Sequence, residues 1–547
     1  MGLWSALAQA WLVQRTARDI AHYGRVIKKP RETQHKLLLD LVRREQDTGY
    51  GRDHHFHEIR SIADFRQRVP ISTYSDVEPY IERVKQGDTE ALFHQQRVVM
   101  FALTSGTTQS RKFIPITERV LDQYRRMWTA WGLLAYAAHR QLFRHARLTI
   151  VSDWNEFPTS AGIPCGSISG MTAHLQNWVV RRGYVMPAVS GKLKDVRAKY
   201  YLAWRLGMMR TIGSWLSPNP STLLHLARFG EKYAESLFRD IYNGTLSSEF
   251  EWTDEVRTAV EPLLKPNLER GRQLDHLFEE KGRLLPKDVW PELGLIGCWT
   301  GGSMGTYLRS FPEFFGDAAV RDLGLLASEG RMTFPLADGT PAGVLEIVSN
   351  FFEFIPVSEI DSPQPMVLEA HELQEGGEYF ILLTNASGLY RYNIHDVVRC
   401  TGFQERTPLL EFLNKGSGFC SVTGEKLTDY QVATAMAQTL SERKLSVSAF
   451  ALAPVWDDPD LPSYSLFIED GELGDLAGFA ESMDRKLHEL NIEYASKRSS
   501  QRLGPIHVVT KPRGFWDQWD HQRLQKSGGT VEQYKRPALL QQPPRLD

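Results

Sequence analysis

"LTSGTTQSRKFIPIT", residues 103–117, gathers Thr104, Ser105, Thr107, Thr108 and Ser110 around Gly106, then sets Arg111 and Lys112 ahead of a Phe-Ile-Pro-Ile run. The segment reads either as a loop that wraps a phosphate or as a hydroxyl-rich turn between two strands. It is not the G-x-x-x-x-G-K-[ST] loop of the P-loop proteins. The chemistry of anion binding is present all the same. Gly106 lets the backbone come close to an anion. Ser105, Thr107 and Thr108 offer hydroxyl and amide donors, and Arg111 or Lys112 brings charge. From these residues alone both readings stand.

Working outward, "RVVMFALT" precedes the segment, and beyond it short apolar runs alternate with helical stretches: "ARLTIVSDW", "LGLIGCWTGG" and "AGVLEIVSNFFEFIPV". The last is read as one buried-strand pattern. "GEYFILLTNASGLYRYNIHDVVRCTGF" then gives two alternating runs joined by Asn385-Ala386-Ser387-Gly388, a hairpin signal. Strands alternating with helices argue for an α/β fold, a large amino-terminal domain with mixed sheets and flanking helices. The first hundred residues read as helices, with Leu38, Leu41 and Val42 on one face before a stop at Gly49-Tyr50-Gly51. His54, His55 and His57 sit in a polar stretch and read as a solvated loop. Periodicity breaks near Asn414, and a smaller α+β unit follows. It carries "VSAFALAPVW", "SYSLFIED", a helix with Phe479, Met483, Leu487 and Leu490 on one face, and the strand "PIHVVTKP". The expected domains are residues 1–420 and 421–547, since 547 residues are too many for one compact core.

Bulk charge excludes some partners. A formal net charge of -2 gives no general attraction for nucleic acid or membrane, so a polyanion would need a local basic site. Cys165, Cys298, Cys400 and Cys420 are far apart with no C-x-x-C pair, which points to a reduced, cytoplasmic chain without a zinc site. At the amino terminus Leu3, Leu7 and Trp11 recur every four residues, the pattern of an amphipathic helix docked on the body.

Further segments carry chemistry. Ser328-Glu329-Gly330 sits between apolar runs, where a carboxylate can ligate Mg²⁺ on nucleotide phosphates or simply form an acidic turn. Asp396 lies among aromatic and aliphatic residues, an awkward place for a charge without a partner. It reads as a ribose ligand or as the partner of Arg391 or Arg399. Lys426, just past the break, and Lys535, beyond Gly528-Gly529, are either solvated or delivered to a reaction centre. Gly301-Gly302-Ser303-Met304-Gly305 is a literal G-x-S-x-G. With Asp396 and His507 downstream, it supports an alternative serine-hydrolase reading that explains none of the other segments.

Taken together, "TSGTTQSRKFIP", "ASEGRMTFPL", "NFFEFIP", "YRYNIHDVVRCTGF", "GEKLTDYQV" and "TVEQYKRP" occur in the order found in the Gretchen Hagen family of acyl-acid amido synthetases, which the chain resembles over nearly its whole length. That family belongs to the adenylate-forming enzymes. The resemblance implies that architecture, a large domain holding ATP and an acyl acid and a small mobile carboxyl-terminal domain. It also implies a ligase that turns a carboxylic acid into acyl-AMP and then passes the acyl group to an amine, in this family an amino acid. An acyl-CoA ligase is the alternative within the same superfamily. By the resemblance Thr104, Ser105, Gly106, Thr107 and Thr108 contact the phosphates, with Ser328 beside them. Glu329 holds Mg²⁺, Asp396 the ribose, Phe351 or its neighbours the adenine, and Lys426 and Lys535 come from the mobile domain. Three positions depart from the pattern: Gln109 after the hydroxyl residues, Leu325 where an aromatic residue is common, and His395 where glycine is frequent. An acyl pocket is expected from residues 162–214, with Met171, Met208 and Met209 as candidates for an apolar slot or for plain core.

Overall fold

A computed structural model gives the fold and describes residues 3–104, 112–176, 178–301, 304–360, 362–415, 419–445, 447–456, 461–527 and 538–546. The chain divides into two compact units, with the boundary between Leu413 and Asn414.

The first unit is α/β, as its alternating pattern requires. Helices Leu3–Val26, Pro30–Arg44, Ile62–Arg68 and Tyr74–Lys85 open it. Tyr23, Leu38, Leu41 and Val42 are buried in its main core. The side chains of Leu3, Leu7 and Trp11 lie outside the described residues. No described helix is long and apolar enough to cross a membrane. The expected stop at Gly49 is instead the start of a short helix, Gly49–Asp53, because Thr48 caps it with a hydroxyl that accepts from Gly51 N at 3.0 Å. Gly51 is glycine for a different reason. A Cβ there would lie 2.1 Å from the Glu45 carbonyl oxygen.

Three larger sheets follow. Strand Val98–Thr104 pairs antiparallel with Lys112–Thr117 and parallel with Pro164–Gly166. Strands Ala146–Thr149, Ile212–Leu216, Leu295–Cys298 and Ala319–Asp322 form a wholly parallel sheet. Its two central strands, Ile212–Leu216 and Leu295–Cys298, are buried almost throughout, as a parallel sheet covered on both faces requires. Trp204, Trp215 and Trp290 pack together in the core that covers it. A seven-stranded antiparallel sheet is ordered Thr333–Phe334, Gly343–Leu345, Thr407–Lys415, Tyr392–Gln404, Glu378–Thr384, Phe351–Pro356, Leu368–Glu369 among the described residues.

The pattern read as one strand in "AGVLEIVSNFFEFIPV" is two, Gly343–Leu345 and Phe351–Pro356. The buried Glu346 carboxylate closes the turn between them by accepting from Val348 N and Ser349 N at 3.3 and 3.0 Å. Alternating apolar residues cannot reveal such a turn, since it is made by a buried carboxylate. The long helix Glu118–Ala138 starts at Thr117, whose hydroxyl accepts from Val120 N, and buries Val120, Tyr124, Met127, Trp131 and Ala135 at helical spacing.

The second unit is α+β. Strands Phe450–Val455 and Ser463–Glu469 are antiparallel, and His507–Lys511 joins the latter in parallel. Helix Leu476–Leu490 buries Phe479, Met483 and Leu487, three residues of the expected face.

Candidate active site

Thr104 and Lys112, the two ends of the hydroxyl-rich loop, are cross-strand partners in an antiparallel pair. Ser105, Gly106, Thr107 and Thr108 lie outside the described residues. Lys112 extends from this pair and its Nζ donates to Tyr392 Oη at 3.3 Å. Tyr392 is fully buried. Burial, with the nearby Glu329, Tyr74 and Asp396 adding to it, pushes its hydroxyl well above the ordinary phenol range. Tyr392 thus meets the loop end at Lys112, and the charges of Glu329 and Asp396 act on its hydroxyl. The sequence reading did not single out Tyr392, although it stands in the quoted "LYRYNIHD".

Asp396 is buried in the strand Tyr392–Gln404. Its register with Glu378–Thr384 is irregular. Leu382 faces Asn393 while Phe380 faces Val397, so three residues of one strand oppose one of the other. Within this bulge His395 takes φ 59°, the left-handed region that favours glycine. A bulge bends the strand and re-aims side chains, and Asp396 lies within it directly after His395. The expected salt-bridge partners are engaged elsewhere. Arg391 Nε donates to Glu353 Oε2 at 2.9 Å, and Arg399 pairs with Glu378 and Glu411.

Ser328 and Glu329 form the two-residue tip of a small hairpin, Leu326–Ala327 against Gly330–Arg331. The backbone is therefore the turn that the sequence allowed, but Glu329 is buried and lines a cavity. Two asparagines clamp the hairpin from neighbouring loops. Asn385 Nδ2 donates to Glu329 O at 2.7 Å, and Asn350 Nδ2 to Arg331 O at 2.7 Å. The hairpin signal Asn385–Gly388 is real, with Gly388 at φ 74° and Asn385 Oδ1 accepting from Ser387 N. The same turn thus supplies the side chain that fixes Glu329.

Arg331 lines this cavity too and was not anticipated. It is 4% exposed. Burial lowers its guanidinium to about 10. It donates to Leu323 O and Thr333 O, while Nη1 has no hydrogen-bond partner. It forms no salt bridge among the described residues. A buried cation so placed is suited to an incoming anion. A charge inside the strand-like "GRMTF" was the available signal.

Phe351 lies in the core, edge-on to Phe65 at 6.2 Å, whereas its neighbour Asn350 lines the Glu329 cavity. In the second unit Lys426 holds φ 47° beside the buried Glu425, which accepts from Val422 N and Thr423 N at 2.7 Å each. Lys535 and Ser303 lie outside the described residues. Met171 and Met208 are buried in two different cores and do not share a slot. The expected acyl stretch does contribute Gln176, Val180 and Tyr184 to an aromatic chamber of about 140 Å³.

Comparison with known proteins bears on this arrangement. The AtGH3.15 acyl acid amido synthetase in complex with 2,4-DB has a similar fold, with a TM-score of 0.64, 20% identity, and coverage of 93% of this chain and 91% of that one. The jasmonoyl–L-amino acid synthetase JAR4 of Nicotiana attenuata is 26% identical over 95% of this chain and 93% of its own. The indole-3-acetic acid-amido synthetase GH3.2 of Arabidopsis thaliana is 22% identical over 79% and 83%. The class of all three is amido synthetase. Residues 20–320, 343–415 and 430–544 match the GH3 family N-terminal, central and C-terminal domains in turn, and the chain belongs to the GH3 family.

Proposed function

We propose that the protein is an ATP-dependent acyl-acid amido synthetase. It adenylates a small carboxylic acid and passes the acyl group to the amine of an amino acid, releasing AMP. The observation that supports this reading is the succession of the three GH3 family domains along the chain, with Lys112 at the loop end donating to Tyr392 and the buried Glu329 lining a cavity.

A carboxylate acylates poorly because its leaving group would be oxide. Attack of a carboxylate oxygen on the α-phosphorus of ATP expels pyrophosphate and makes that oxygen part of a good leaving group, AMP. Charge then builds on the phosphoryl oxygens, where preorganised donors lower the barrier most. Ser105, Thr107 and Thr108 supply hydroxyl and amide donors, and Lys535 the remaining ammonium charge. Asp396 accepts from the ribose hydroxyls. Arg331 Nη1 donates to the carboxylate of the acid and orients it.

Glu329 suits Mg²⁺, which binds through one or two carboxylates and otherwise prefers phosphates and water. Its carboxylate has no salt bridge among the described residues, and no cluster of three ligating side chains competes there. The metal would offset phosphate charge. In the second step the amine attacks the acyl carbon and AMP leaves, so no covalent enzyme intermediate is needed.

ATP–pyrophosphate exchange over a panel of carboxylic acids, followed by mass spectrometry of products with mixed amino acids, tests the reading. Acid-dependent exchange and an amide product are expected, while formation of acyl-CoA or ester cleavage without exchange would reject it. Lys535→Ala is expected to slow exchange on the order of 10²–10³; an unchanged exchange rate removes Lys535 from adenylation.

A further inference from the structure

Two tyrosines more than three hundred residues apart meet at Lys112. Lys112 Nζ lies over the Tyr74 ring, 5.5 Å from its centroid, and over the Tyr392 ring at 6.0 Å. It also donates to Tyr392 Oη at 3.3 Å. Both ring distances are at the outer range of attraction between a cation and an aromatic face, so the hydrogen bond directs the ammonium and the rings confine it. Burial raises the hydroxyls of both tyrosines, and the charge of Glu329 acts on each in the same direction. Tyr392 therefore stays neutral, and a neutral acceptor orients an ammonium without cancelling its charge.

One short segment, residues 72–74, fixes this arrangement. Ser72 N donates to Arg391 O at 3.0 Å, and Asn393 N donates to Ser72 O at 2.8 Å, so the two bonds bracket Tyr392. Ser72 Oγ donates to Tyr390 O at 2.8 Å. Tyr74 opens the helix Tyr74–Lys85, which Thr73 and Asp76 start with a capping box. Tyr74 Oη then accepts from Phe113 N at 2.9 Å, and Phe113 is the residue after Lys112. Residues 72–74 thus tie the strand that carries Lys112 to the strand that carries Tyr392 and Asp396.

We propose that Tyr74 and Tyr392 are positioning residues for adenylation, holding the Lys112 ammonium at the end of the hydroxyl-rich loop, where it meets the phosphates of the nucleotide. The inference rests on the amido-synthetase reading and adds how one charge of that site is aimed. A lysine ammonium rides on a flexible four-carbon stem, and fixing that stem costs rotamer entropy. Here two rings and a phenol oxygen fix it during folding, so less freedom is lost when the nucleotide binds.

The test is a double-mutant cycle in the full chain, read by ATP–pyrophosphate exchange. Lys112→Met removes the ammonium, and Tyr392→Phe keeps the ring but removes the acceptor. Lys112→Met is expected to lower kcat/KM for ATP on the order of 10²–10³, the loss of one preorganised donor. Tyr392→Phe is expected to lower it about 10-fold, the loss of one charge-assisted hydrogen bond. In the Lys112→Met background Tyr392→Phe is expected to have no further effect, since it acts through the lysine. Tyr74→Leu, which removes the other ring, is an independent arm with the same expected dependence on Lys112. Losses that are equal with and without Lys112 would overturn the inference and leave the ligase reading intact. Calorimetry with magnesium pyrophosphate separates the two readings. Binding that weakens in both Lys112→Met and Tyr392→Phe, with no exchange by the parent protein for any acid, would keep the placement of Lys112 and overturn the ligase reading.

Discussion

Asp396 stands among aliphatic neighbours, and His395 before it holds φ 59° in a bulge. Sequence alone allowed it to be a ribose ligand or half of a salt bridge. The structure gives Arg391 to Glu353 and Arg399 to Glu378 and Glu411, so neither of the two arginines named for it is its partner, and we propose the ribose role. Asp396→Ala is therefore expected to weaken nucleotide affinity about 10- to 100-fold, the effect of losing charge-assisted hydrogen bonds. Calorimetric titration with an ATP analogue measures it, and unaltered affinity rejects the ribose role. Glu329 illustrates the limit of a short motif. Its turn was legible in Ser328-Glu329-Gly330, but its burial and its clamp by Asn385 come from a loop more than fifty residues away.

Among elements, the turn between strands Gly343–Leu345 and Phe351–Pro356 depends on Glu346. Burial lifts this carboxyl from 4.5 to about 7. The folded protein keeps a proton that the unfolded chain gives up above 4.5, so stability falls as pH rises from 4.5 to about 7 and then levels. Glu346→Gln is expected to remove up to about 3 kcal/mol of that fall. Urea titrations of both proteins at about pH 5 and about pH 8 measure it, and equal pH dependence would show that Glu346 is not the titrating group. The short helix Gly49–Asp53 offers a second test. Because a Cβ at Gly51 meets a carbonyl oxygen at 2.1 Å, Gly51→Ala is expected to cost about 1–3 kcal/mol or more. Denaturant midpoints matching the parent protein would contradict the close approach. The hairpin Asn385–Gly388 was readable because turn chemistry acts within four residues. The break at Glu346 was not, since an apolar alternation continues on both sides of it.

Across the whole molecule all four cysteines are buried, and desolvation raises each thiol, Cys165 to about 11 and Cys420 to about 12. A thiol reagent is expected to modify none of the four in the native protein in the time it takes to modify all of them in denaturant. Rapid native labelling of one would show that its packing opens locally. What the sequence by itself determined is the alternation of strands and helices in the first unit, the turn at Asn385–Gly388, and the run of segments by which the chain resembles the Gretchen Hagen family. These follow from periodicity and turn preferences that act over a few residues. The tertiary structure decided which charges pair, that Glu329 and Asp396 are buried, and that the loop end at Lys112 meets Tyr392. Those outcomes depend on residues far apart in the chain meeting in a packed interior, where one burial pattern excludes another, and no local preference encodes that choice.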